Sequence, residues 1–107
     1  MDEAIADLRV RIVRFVDEYQ PGIVECEFVD AEGARHRFIV KVPYVSHENL
    51  GSGSEYPRPG LLRCRVCETR RDASGRELVG IDTSDPAVTE DERSEFVVFA
   101  DQLVVAT

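Results

Sequence analysis

The chain has 107 residues, 43% hydrophobic and 32% charged, with 21 acidic residues against 13 basic ones and a formal net charge of −8. A chain of this size suits one domain that buries roughly two-thirds of its unfolded surface without needing staples. A surface this acidic repels phosphate backbones and anionic lipid, which argues against nucleic-acid and membrane partners, and no apolar run approaches the ~20 residues of a bilayer-spanning helix.

The opening MDEAIADL is acidic and unlike a secretory leader; residues 1–7 read as a short helix or a frayed end. From Leu8 the period is two: Leu8, Val10 and Ile12 alternate with Arg9 and Arg11. Val13 breaks the alternation and Phe15-Val16 resume it, the mark of a β-bulge. A helix through 4–19 competes, but the density of β-branched residues weakens it. Residues 23–29 alternate again, with Val24, Cys26 and Phe28 on one face and Glu25 and Glu27 on the other. After the DAEG turn at 30–33, residues 35–42 set His36, Phe38, Val40 and Val42 against Arg35, Arg37, Ile39 and Lys41. A type I turn with Gly33 left-handed and Asp30 capping it pairs Cys26 with Phe38, Val24 with Val40, and Glu27 with Arg37. Apolar then meets apolar and charge meets opposite charge.

A long connection, PYVSHENLGSGSEYPRPG at 43–60, holds three prolines and three glycines. Loops of this length are usually functional or mobile. A second module follows, echoing the first: PGLLRCRV at 59–66 repeats the cadence of PGIVECEF at 21–28, and DASG at 72–75 repeats DAEG. Leu62, Cys64 and Val66 face inward in this reading, opposite Arg63, Arg65 and Cys67, and 77–83 returns. An acidic loop over 83–95 leads to EFVVFADQLVVA, apolar on both faces and suited to a central or closing strand.

Cys64 and Cys67 form a C-x-x-C spacing, yet on an extended strand positions i and i+3 face apart, so packing is favoured over zinc or redox chemistry. Adjacent Ser46-His47-Glu48 lack the separated geometry that a catalytic constellation needs. With no convergent chemistry, no cofactor or metal is expected. The arginines at 63, 65, 70, 71 and 76 are expected to pair across strands with Glu68, Asp72 and Glu77.

The expected object is an all-β single domain of about six mainly antiparallel strands, a small barrel or a curled two-sheet sandwich. Nothing resembling a leader and an odd set of three cysteines point to the cytoplasm, with reduced thiols. The expected role is a non-enzymatic interaction protein docking a basic partner, of the immunity or adaptor type, or associating with itself through the apolar strand. Its contact residues would be Tyr44, His47, Glu48, Tyr56 and Arg58 in one loop and Asp85, Glu90, Asp91 and Glu92 in the other. The alternative is a small-ligand protein or enzyme with a barrel-mouth site, built from His36 with Arg63 and Arg65, or from His36 with His47, Tyr44 and Arg58.

Overall fold

The computed structural model describes residues 4–18, 22–84 and 92–105. Seven strands form: β1 (Ala4–Asp17), β2 (Ile23–Val29), β3 (Arg35–Lys41), β4 (Arg58–Arg71), β5 (Glu77–Asp82), β6 (Glu95–Phe99) and β7 (Leu103–Val105). They make one curled antiparallel sheet in the order β3-β2-β1-β4-β5-β6, and β7 returns to pair with β1. The two-sheet sandwich is therefore set aside in favour of a half-barrel. The count exceeds six because the terminal apolar segment breaks at a 3-10 turn, Ala100–Gln102. Gln102 makes that break: its Oε1 accepts the Phe99 amide at 2.8 Å while its Nε2 donates to the Val29 carbonyl at 2.7 Å.

β1 corrects the helical reading of the N-terminus. Ala4–Asp7 already belong to the strand, paired with β4 from Arg63 to Val66, and Ala6, Leu8, Val10 and Ile12 alternate into the core. Residues 1–3 lie outside the described residues. The expected bulge is present: Ile12 pairs with Cys26 and Arg14 with Glu25, leaving Val13 unopposed. A second irregularity skips Val16.

The first hairpin has the register that its turn and pattern dictate, with Cys26 opposite Phe38, Val24 opposite Val40 and Glu27 opposite Arg37. Gly33 and Gly75 are left-handed at φ +87° and +86°, the conformation both turns require. Asp30 Oδ1 accepts the Glu32 and Ala34 amides, and Asp72 Oδ1 those of Ser74 and Arg76, all at 2.9 Å. The second hairpin carries a bulge at Cys67, between Val66 and Glu68. The arginine pairing differs in detail from expectation. Arg71 does approach Glu77, at 4.0 Å, but Arg63 pairs with Asp7 and Arg65 with Asp82, while Arg76 lies 3.5 Å over the Phe99 ring.

The core is one continuous cluster running from Ala6 to Val98, with Phe38, Leu8, Ile12, Leu62 and Ile81 as its largest enclosed side chains. Phe96 and Val98 are absorbed into it, so the strand expected to mediate self-association spends its apolar face internally. Glu25 and Glu27 depart from the expectation that charges stay wet: they are 6% and 7% exposed. They sit on the outer sheet face but are roofed by arginines. Arg14 and Arg37 approach Glu25 at 3.2 and 3.6 Å, and Arg37, Arg11 and Arg35 approach Glu27 at 3.4, 3.7 and 3.9 Å. The bulge explains why Arg14 rather than Val13 stands opposite Glu25.

Gly60 faces Ile12, and a Cβ there would meet Ile12 Cδ1 and the Val45 carbonyl oxygen at 2.9 Å. Gly60→Ala is expected to destabilise by about 1–3 kcal/mol through overpacking, and Leu62→Ala by about 2–5 kcal/mol through the cavity it leaves. Gly53→Ala, which meets nothing within 4 Å, serves as the near-neutral control in urea denaturation.

Candidate functional site

A concavity of about 1060 Å³ lies on the outer face where β1 and β4 run beside the 3-10 turn Val42–Tyr44. Alternation builds its floor. Because Leu62 and Cys64 point into the core, Leu61, Arg63 and Arg65 point out. Ile5, Asp7 and Arg9 do the same on the paired strand, in register with Arg65, Arg63 and Leu61. The turn after β3 swings Tyr44 over this floor while burying Val42 and Val45. Ile5, Leu61 and Tyr44 are 40%, 41% and 49% exposed, an apolar patch a solvated face would not need.

Around that patch the charges are nearly matched. Arg63 Nε lies 3.3 Å from Asp7 Oδ1, and Arg65 pairs with Asp82. Arg9 also lines the groove and makes no ion pair with another described residue. His47 and Glu48 line the rim, and Glu48 is held by Arg58, the first residue of β4.

The structure thus gathers Tyr44, His47 and Glu48, and adds Arg63 and Arg65, which sequence reasoning had assigned to a different site. Tyr56 is not free as expected: it packs against the core and donates to the Gly51 carbonyl at 2.8 Å. The 43–60 connection is pinned too, by buried Val45 and Leu50, and its last three residues belong to β4. Asp85, Glu90 and Asp91 lie outside the described residues. Glu92 is exposed, with φ +64°. Ile5, Arg9 and Leu61 were missed; the outward phase of two alternating strands was the signal that could have found them.

His36 stands apart from this groove. It is 7% exposed, its Nε2 lies 2.7 Å from Asp30 Oδ2, and its ring packs tilted at 52° against Phe96, with centroids 4.6 Å apart. It joins the turn to the core and does not meet His47, Arg63 or Arg65 around the groove. A smaller cleft of about 460 Å³ lies near that turn, lined by Asp30, Glu32, Glu68 and Glu95 together with Arg93 and Cys67. Among the described residues no group of three or more His, Cys, Asp or Glu is placed to hold a metal ion, and no helix is long and apolar enough to cross a membrane.

The cysteines divide as the alternation dictates: Cys26 and Cys64 lie in the core and Cys67 is exposed. Burial, reinforced by Glu25, pushes the Cys26 thiol up to about 12. Burial, with Asp7 and Cys67 nearby, pushes Cys64 to about 11. Thiolate is the reactive form, so iodoacetamide at pH 8 is expected to add once to the native protein, at Cys67, and three times in guanidinium. Mass spectrometry of tryptic peptides reads the sites.

Three aspartates, Asp30, Asp72 and Asp82, have carboxyls held below the usual carboxylate value. Burial alone would raise the Asp30 carboxyl, but hydrogen bonds from His36 and from the Ala34 and Glu32 amides outweigh it and hold it below 3.8. The Ser74 hydroxyl and the Arg76 amide lower Asp72, and the amide and hydroxyl of Ser84 lower Asp82. A carboxyl depressed in the folded state stabilises it above the unfolded value and loses that contribution as pH falls through the folded value. Calorimetric stability is therefore expected to hold from neutrality to about pH 5 and to fall below 3.8. Asp30→Ala is expected to lose about 1–3 kcal/mol at pH 7, because it orphans two amides and His36, and to show a shallower acid slope.

Comparison with protein-family models, with curated proteins and with solved structures finds no match to this chain.

Proposed function

We propose that the chain is a non-enzymatic interaction module that docks a partner protein through the groove between Tyr44 and Leu61. The observation that carries this reading is the exposed trio Ile5, Leu61 and Tyr44 on one concave floor, ringed by arginines and carboxylates. An apolar centre with Tyr and Arg anchors and a polar rim is the composition of protein interfaces. The partner inferred is basic. Ser84 lines the groove, and the sequence that follows it, DPAVTEDE, is acidic; the net charge of −8 would speed encounter with a cationic surface. A neutraliser of a basic enzyme, of the immunity type, is the concrete form. Three free thiols support a reducing, cytoplasmic setting. The enzyme alternative draws no support from the two histidines, which lie in different environments.

The test is capture from lysate of the native host at low salt, using wild type and Leu61→Glu side by side, with each captured protein purified and titrated against both. A basic protein bound by wild type and weakened at least tenfold by Leu61→Glu, with unchanged thermal stability, is the expected result. Binding unaffected by Leu61→Glu and by Tyr44→Ala, or no protein retained, overturns the reading.

A further inference from the structure

The first hairpin leaves one side of β3 with backbone groups to offer. The turn bond from the Asp30 amide to the Ala34 carbonyl and the bond from the Val42 amide to the Gly22 carbonyl, 2.8 and 3.0 Å, sit at opposite ends of the β2–β3 ladder. In an antiparallel pair, hydrogen-bonded couples alternate with unbonded ones. Counting inward from either end gives the same phase: Phe28–His36, Cys26–Phe38 and Val24–Val40 are the bonded couples. The amides and carbonyls of Arg35, Arg37, Ile39 and Lys41 therefore point away from β2. β3 is the terminal strand of the sheet, and no described backbone group outside the ladder bonds these four residues.

Their side chains state which strand would fit. All four lie on the outer face and all are exposed, Ile39 by 48%. The row reads cation, cation, apolar, cation. Glu25 and Glu27 beneath hold the guanidiniums of Arg35 and Arg37 in place, with Arg35 and Arg37 remaining 60% and 47% exposed and most of their N–H donors unused. A second copy of β3 would set like charges side by side, which is the way edge strands resist self-pairing. A segment with carboxylates on alternate residues meets the opposite: bidentate partners for the arginines, and apolar side chains on its other face against the His36–Phe38–Val40 side.

We infer that β3 is a docking edge for an extended acidic segment of a partner protein, bound by strand addition, with carboxylates at every second residue. A protein segment is favoured over a nucleic acid because the chain as a whole carries −8 and repels a long polyanion. This edge is separate from the groove of β1 and β4, so either reading can fail alone.

The probe is a capped heptapeptide of alternating Glu and Val, followed by ¹⁵N NMR of the intact protein. The expected result is saturable shifts concentrated at the amides of Arg35, Arg37, Ile39 and Lys41, with slowed hydrogen exchange there. The Lys/Val counterpart is expected to bind at least tenfold more weakly, and Lys41→Glu to weaken the Glu/Val peptide at least threefold. Ile39→Pro removes an outward donor that the sheet does not use and is expected to abolish binding. Because that variant could unfold, two peptides N-methylated on alternate sets of amides give the same test on wild-type protein: one set blocks binding and the other does not. Absence of saturable shifts at millimolar peptide, equal binding of both N-methylated peptides, or equal binding of the Lys/Val peptide overturns the inference. So does a single-stranded oligonucleotide that moves the same amides more strongly.

Discussion

A single strand, hydrogen-bonded on both edges, holds this fold together. β1 gives one edge to β4 from Ala4 to Ile12 and shares the other between β7, over Ala6–Leu8, and β2, over Arg11–Asp17. Among the described residues no other strand pairs with three partners. The bulge at Val13 lies within its β2 segment, and bulges increase local twist and bend the strand that bears them. That bending lets the sheet curl far enough for β7 to come home against the N-terminal half. Gln102 fills the step between β7 and β2 through the Val29 carbonyl. The curl in turn gathers Leu8, Ile12, Phe38, Leu62 and Ile81 into one core. It also leaves the outward residues of β1 and β4 as the floor of a groove.

The same alternation sorts charge. The outward face of β1 to β5 holds nine of the chain's 13 cations, including Arg9, Arg11, Arg14 and Lys41, against the acids Asp7, Asp17, Glu25, Glu27, Glu68 and Asp82. A chain of net charge −8 thus carries a sheet face on which cations outnumber acids, with the balancing excess of acid elsewhere. Burying Glu25 and Glu27 beneath arginines has a cost in desolvation that ion pairing must offset. What it secures is orientation, since long guanidinium side chains over a fixed carboxylate lose little further freedom on meeting a ligand. Both the groove and the β3 edge draw on arginines held in this manner.

Much of this was legible before any coordinates, and for a physical reason. Period-two alternation and turn grammar are local, so the first hairpin's register, the bulge at Val13, the left-handed glycines and the capping aspartates could all be read from a few neighbouring residues. The site was legible only in part. Tyr44, His47 and Glu48 stand out as loop residues, but Leu61, Arg9 and Ile5 reach the groove only once β1 and β4 are known to be neighbours, and 49 or more positions separate those strands' contributions in the chain. Tyr56 was misjudged for the same cause: the Gly51 carbonyl that engages it comes from folding, not from local sequence. His36, by contrast, lies inward and hydrogen-bonded as its place in the alternation of β3 indicates. The N-terminal helix failed because a short acidic opening carries no alternation of its own, and only pairing with β4 and β7 makes it a strand.

Native-state hydrogen exchange measures the role of β1 most directly, because the energy of opening each amide separates local fraying from global unfolding. Amides of Ala6 to Leu8 and of Arg11 and Ile12, hemmed by neighbours on both edges, are expected to exchange only through global unfolding, with the same denaturant dependence as the whole protein. Exchange of those amides by local opening, at a lower free energy than the β2–β3 hairpin, would contradict the placement of β1 at the centre of the fold.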